Sequence, residues 1–113
     1  MMQNVKPIIV TDDETGLEYT LEFSRESVKF AEARGFKIND VGDYPMTKIP
    51  ELWFYAFRMH HKNVSRAQTD KLLDGLGGIP NGLLERLGEL YAAPFSALTE
   101  GQTEENPKVT VRL

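Results

Sequence analysis

Apolar and polar positions change their period several times along the chain, and each change marks an element. Val5–Val10 is a short apolar, β-branched run. Pro7 inside it has no amide to give to a ladder, so the run reads as an edge strand. Asp12-Asp13-Glu14-Thr15-Gly16 is turn chemistry. Leu17, Tyr19, Leu21 and Phe23 then alternate with Glu18, Thr20 and Glu22. That spacing predicts a half-buried antiparallel strand forming a hairpin with the first.

At Ser24 the period becomes helical. Ser24 reads as an N-cap with Glu26 in the first turn, and Gly35 as the C-terminal stop, giving a helix over about 24–34. Val28, Ala31 and Phe30 are its inward candidates, and Phe36 and Ile38 are expected to fold back onto it. Asn39–Pro45 reads as a loop. A second helix is expected to start between Thr47 and Pro50 and to run to about Asn63, because proline is tolerated in a first turn. Ser65-Arg66-Ala67-Gln68 is a capping box that opens a third helix over 66–75, with Leu72, Leu73 and Leu76 as its apolar residues and Gly75, Gly77 and Gly78 as its end. A fourth helix is expected over 82–92, with Leu83, Leu84, Leu87, Leu90 and Tyr91 as its inner stripe. Pro94 breaks or kinks it, and Phe95 and Leu98 add at most one further turn.

Residues 99–107 are polar and read as a mobile linker. Val109, Val111 and Leu113 alternate with Lys108, Thr110 and Arg112, so the end of the chain is either a third strand on the hairpin or a tail that pairs with a partner. The third strand is favoured, because a bare two-stranded hairpin is marginal. The fold class expected is α+β, with an N-terminal antiparallel hairpin followed by about four helices. Residues 1–98 form one domain and 99–113 a linker with a tail or terminal strand. The length of 113 residues suits one core and leaves little room for a second.

The chain has no cysteine, which removes disulfides, thiolate metal sites and cysteine nucleophiles. No apolar run is long enough to span a membrane, and the start lacks an apolar signal core, so a soluble intracellular protein is expected. The net charge is −4, but unevenly placed. Residues 58–71 carry Arg58, Lys62, Arg66 and Lys71 against Asp70 alone, a net +3. That patch reads first as a solvated helix face, and secondly as a dock for an acidic partner or a phosphate.

Candidate chemistry is sparse. His60 and His61 are adjacent, so on a helix they diverge by about 100° and cannot share one metal. Asp70 and Asp74 have helical spacing without a histidine beside them. Ser24, Ser27 and Ser65 are explained as caps, so no nucleophile–base pair stands out and no enzymatic activity is expected. The glycine-rich Gly75–Gly78 lacks a phosphate-loop lysine. The helices flanking Ser65 imitate a helix-turn-helix, with Arg66, Gln68, Thr69 and Lys71 as base-contacting candidates, but their surroundings are acidic. The informative segment is Leu52-Trp53-Phe54-Tyr55-Ala56-Phe57, which holds four of the chain's eleven aromatic residues and is apolar on every side. Such a helix is either central in a core or presents a face to a partner. Trp53, Phe54, Tyr55, Phe57 and Arg58 are therefore the candidate interaction residues.

The order of segments adds a resemblance. Tyr19-Thr20-Leu21-Glu22-Phe23-Ser24-Arg25 with Val28-Lys29 and Gly35-Phe36, the Pro45-Met46-Thr47 start of an aromatic helix ending Ala56-Phe57-Arg58-Met59-His60-His61, and Leu87-Gly88-Glu89-Leu90-Tyr91 before Pro94 resemble the tail assembly chaperone-like proteins of siphophages and prophages of Gram-positive bacteria. The resemblance covers about residues 17–98 and contains no catalytic motif. It implies a non-enzymatic protein of the host bacterial cytoplasm, without cofactor, metal, nucleic acid or membrane. Its partners would be the tape measure protein, which it coats, and the major tail tube protein, which it helps recruit, with weak self-association along the client. A structural head–tail or tail component of the virion, or a small DNA-binding regulator, are the alternatives.

Overall fold

The computed structural model describes residues 5–100, 109 and 111–113. The fold is α+β: an antiparallel hairpin of β1 (Ile8–Asp12) and β2 (Leu17–Leu21), followed by α1 (Arg25–Ala33), a 3-10 turn (Ile38–Val41), α2 (Pro45–Phe57), α3 (Arg66–Gly75) and α4 (Leu83–Glu100). Val10 pairs with Tyr19, and Ile8 with Leu21. The turn closes through the Gly16 amide on the Asp12 carbonyl at 2.7 Å, with Gly16 at φ 77°.

Local chemistry accounts for the helix ends. Ser24 and Ser27 exchange side-chain and backbone hydrogen bonds in a capping box at the start of α1. At its end Gly35, with φ 90°, lets its own amide reach Glu32 and the Phe36 amide reach Ala31, so Phe36 folds back into the core. Ser65 and Gln68 form the same kind of box on α3.

α2 is the centre of the molecule. Leu52, Trp53, Tyr55, Ala56 and Phe57 are buried. β2 covers one side of it through Tyr19, whose ring meets Phe57 edge-on at 5.5 Å. α3 covers another, where the Trp53 Nε1–H donates to the Thr69 carbonyl at 2.8 Å. α1 and Phe36 close the third, with the rings of Phe30 and Phe36 against Tyr55. α4 seals the core with Leu87, Leu90 and Tyr91, the last held between Phe23 and Phe36.

The end of α2 also clamps the hairpin. The Thr20 amide donates to His61 Nε2 at 2.9 Å, and the Glu22 amide to the Ala56 carbonyl at 3.1 Å. The outer edge of β2 is thereby closed. His60 meets the Glu22 carboxylate at 2.8 Å.

Several boundaries differ from those expected. α2 starts at Pro45 rather than at Thr47–Pro50, since Pro45 fills the first helical position, where no amide is needed. Pro50 is interior; the carbonyl it leaves without a donor belongs to Met46, on an exposed turn. α2 stops at Phe57 instead of Asn63, because β2 takes the Ala56 carbonyl and the chain turns to seat His61. α4 runs through Pro94 to Glu100, beyond the expected end at 92, and so takes in Thr99 and Glu100, the first two residues of the expected linker. Pro94 removes one helix bond while its ring borders Phe23 and Ser24. The sheet has two strands among the described residues; Val109 and Val111–Leu113 are exposed and unpaired, so the third strand is absent there, and the rest of the linker, residues 101–107, lies outside the described residues.

Truncating Phe57 to alanine should cost about 3–5 kcal/mol, read by denaturant unfolding, since it empties the middle of the core. A second expectation concerns pH. Burial, then the neighbouring His60, lowers the pKa of His61 below 6.5, so the folded chain prefers the neutral ring that accepts from Thr20. The unfolded chain takes up the proton first. The stabilisation is therefore complete above about pH 6.5 and is lost as pH falls through the lower folded-state value. Thermal unfolding across pH 5–8 should show this fall, and His61→Gln, which keeps an acceptor but does not titrate, should reduce it.

Candidate binding groove between α1 and α4

The residues expected to face a partner are placed mostly inside. Trp53 and Phe57 are each 1% exposed, Tyr55 is buried, and Phe54 is half-buried against the Tyr55 ring at 5.2 Å. Burial, then Glu51, pushes the Tyr55 hydroxyl above its ordinary pKa. Arg58 is half-buried with its guanidinium 3.9 Å from the centre of the Phe30 ring, and Arg34 lies 4.6 Å from the same ring. An exposed aromatic stripe on α2 is thus corrected to a core. All sides of the helix meet another element, which is why it is apolar all round.

The open apolar surface lies elsewhere, between α1 and the second half of α4. On α1, Arg25, Val28, Lys29 and Glu32 are spaced i, i+3, i+4, i+7 and share one face. On α4, Gly88, Tyr91, Ala92, Phe95 and Leu98 do the same. The two faces border a groove of about 540 Å³, with Ile38 and Pro94 also in its wall. Gly88 and Ala92 keep its α4 wall low, whereas Phe95 and Leu98, 67% and 54% exposed, stand up as a ridge. Arg25, Lys29 and Glu32 are the charged residues of its α1 rim, a net positive edge. The Lys29–Glu26 pair at 3.9 Å is exposed and weak.

This geometry suits apolar contact. The one titratable apolar-bodied group in the wall is Tyr91, whose hydroxyl is pushed up to about 12 by burial, then by Glu32 and Tyr55, and so stays protonated. Among the described residues no cluster of three or more histidines and carboxylates could hold a metal. His61 serves β2 and His60 pairs with Glu22, while Asp70 is taken by Arg66 at 3.0 Å. Three of the four candidate base-contacting residues on α3 are occupied: Arg66 by Asp70, Gln68 in the cap, and Thr69 buried with its hydroxyl on the Arg66 carbonyl.

A helix ending at 92, short of Pro94, leaves Phe95 and Leu98 off it, and so hides the stripe they share with Gly88 and Ala92. Continued through that proline, Gly88-Tyr91-Ala92-Phe95-Leu98 is a helical stripe in the sequence. No helix among the described residues is long and apolar enough to cross a membrane.

Fold and groove define the class: a small α+β domain of a hairpin and four helices with an open trough between two of them. The chain belongs to the family described as domain of unknown function DUF5055, whose profile matches residues 1–113. No curated protein and no solved structure matches it.

Gly88 lies in the helix with open space where a Cβ would stand. Gly88→Ala should therefore raise stability by about 0.5–1 kcal/mol in a thermal melt. Phe95→Asp and Leu98→Asp should change it by less than about 0.5 kcal/mol, because both side chains already face water.

Proposed function

We propose that this chain is a non-catalytic tail assembly chaperone that holds a helical segment of the tape measure protein in the α1–α4 groove. The observation that carries the reading is the groove itself: two facing stripes of helical spacing, with Phe95 and Leu98 exposed on the α4 side. Such a trough takes an amphipathic helix, whose aliphatic stripe enters while its polar face stays wet. The low wall at Gly88 and Ala92 permits close approach of its backbone. Arg25 and Lys29 outnumber Glu32 on the rim, so the preferred client helix carries an acidic residue beside its aliphatic stripe. The resemblance over residues 17–98 supports the same client class. The mechanism is the masking of apolar stripes in the host cytoplasm until the major tail tube protein replaces the chaperone. Binding at each site is moderate, so that many copies can be displaced.

Co-expression with the tape measure protein, followed by capture and competition with its isolated helical segments, tests this. Phe95→Asp and Leu98→Asp should each weaken capture at least tenfold, about 1.4 kcal/mol, and Gly88→Phe should block it by filling the groove. Unchanged capture by all three would overturn the reading. Stoichiometric copies of the chain in purified virions would instead make it a structural tail component.

A further inference from the structure

The basic segment that follows the core of α2 has no part in the groove, and the fold divides it. Arg66 is taken by Asp70 at 3.0 Å. Lys71 borders the acidic Asp12-Asp13-Glu14 turn. Arg58 and Lys62 face elsewhere, into a hollow of about 500 Å³ against α1, with Phe30 and Met59 in its wall. Ser27, Phe30 and Arg34 follow i, i+3, i+7 on α1 and its C-cap. They lie on the side of that helix away from Arg25, Val28, Lys29 and Glu32, and so away from the α1–α4 groove.

Phe30 gathers the charges. The guanidinium carbon of Arg58 lies 3.9 Å from the centre of its ring, and that of Arg34 lies 4.6 Å from it. At most about 8.5 Å therefore separates the two guanidinium carbons. The ring holds each guanidinium in place without neutralising it. Among the described residues the ion pairs engage Lys29, Lys48, His60 and Arg66, and none of Arg34, Arg58 and Lys62. The side-chain hydrogen bonds from lysine and arginine come from Lys48, Arg66 and Arg86. Glu26, the carboxylate on the rim of the hollow, leans to Lys29 at 3.9 Å. Like charges held this close repel one another, and an anion set between them relieves the repulsion.

Charge and shape choose the occupant. The chain carries a net −4, so without these three cations it carries −7. A nucleic-acid strand longer than the hollow would run onto that acidic remainder. The Phe30 ring already carries two guanidiniums and the Tyr55 ring beside it is buried, so no open ring is offered there to a base. The acidic turn of a second copy is the poorer fit, because Lys71 already borders it. A short acidic segment of another protein suits the hollow. On an extended chain, acids two residues apart stand about 7 Å apart, within the bound between the guanidiniums. Arg58 can take one of them through two parallel N–H bonds. Met59, 37% exposed, offers an apolar neighbour. We propose that the hollow between the end of α2 and the outer side of α1 binds an acidic segment of a partner protein, with its carboxylates on Arg58, Arg34 and Lys62. The site is separate from the α1–α4 groove, and it stands whether or not the groove holds the client.

An acetylated and amidated hexaglutamate peptide, titrated at low salt and followed by amide shifts in NMR, tests this. Shifts are expected at Phe30, Arg58 and Lys62, with an affinity that falls steeply as salt is added. Arg34 and Lys62 are exposed. Arg34→Gln and Lys62→Gln should therefore leave the melting temperature in place and each weaken binding about threefold to fivefold. Arg58→Gln should weaken it further. Lys71→Gln makes the same change in net charge on another side of the molecule and should leave binding unchanged. Absence of shifts at the hollow, or an equal loss in Lys71→Gln, would overturn the proposal. Tighter binding of an oligothymidylate of the same charge would also overturn it and give the hollow to nucleic acid. Dimerisation of the chain that Asp13→Asn and Lys62→Gln each abolish would overturn it in favour of a second copy.

Discussion

The fold depends on the bonding of β2 to the end of α2. A two-stranded hairpin is marginal by itself, and here two outward amides, that of Thr20 in β2 and that of Glu22 just after it, are taken by His61 and by the Ala56 carbonyl. The first of these fixes His61 as a neutral acceptor, and the second ends α2 within a turn. Both place the Tyr19 ring against Phe57. Once β2 is joined to α2, the sheet cannot grow on that side, and its free edge is β1. The same junction aims the chain after Phe23 so that α1 starts across α2 and leaves a trough before α4.

The aromatic content of α2 follows from its position. β2, α1, the 3-10 turn, α3 and α4 all pack against this one helix, so none of the sides of its apolar segment is left to water. β2 meets it through Phe57, α3 through Trp53, and α1 and Phe36 through Tyr55. Large rings span these gaps where aliphatic side chains would leave voids. Arg58 continues the pattern at the helix end by lying over Phe30 rather than seeking a carboxylate.

Much of the frame is legible in the sequence. Alternation over residues 17–23, the serine caps at 24 and 65 and the stop at Gly35 specify hairpin, α1 and α3 closely, because each is a local interaction between residues a few positions apart. The places where reading along the chain fails are those where distant residues compete for a backbone group. α2 stops early because Glu22, just past a strand far back in the sequence, takes its Ala56 carbonyl. Pro50 and Pro94 are continued through because each costs a single helix bond and the flanking turns are held by packing. That last point hid the groove: with α4 ended at Pro94, Phe95 and Leu98 had no helix to share with Gly88 and Ala92. The aromatic run was legible as apolar on all sides, but whether such a helix is central or presented depends on how many elements surround it, which composition does not encode.

The proline inside α4 has a consequence for the order in which that helix is lost. Pro94 leaves a carbonyl of the preceding turn without its donor, so the turns beyond it are tied to the rest of α4 by fewer bonds. Phe95 and Leu98 are both more than half exposed and add little burial to hold those turns. Opening therefore begins at that end, and one wall of the groove goes before the core to which Leu87 and Leu90 belong.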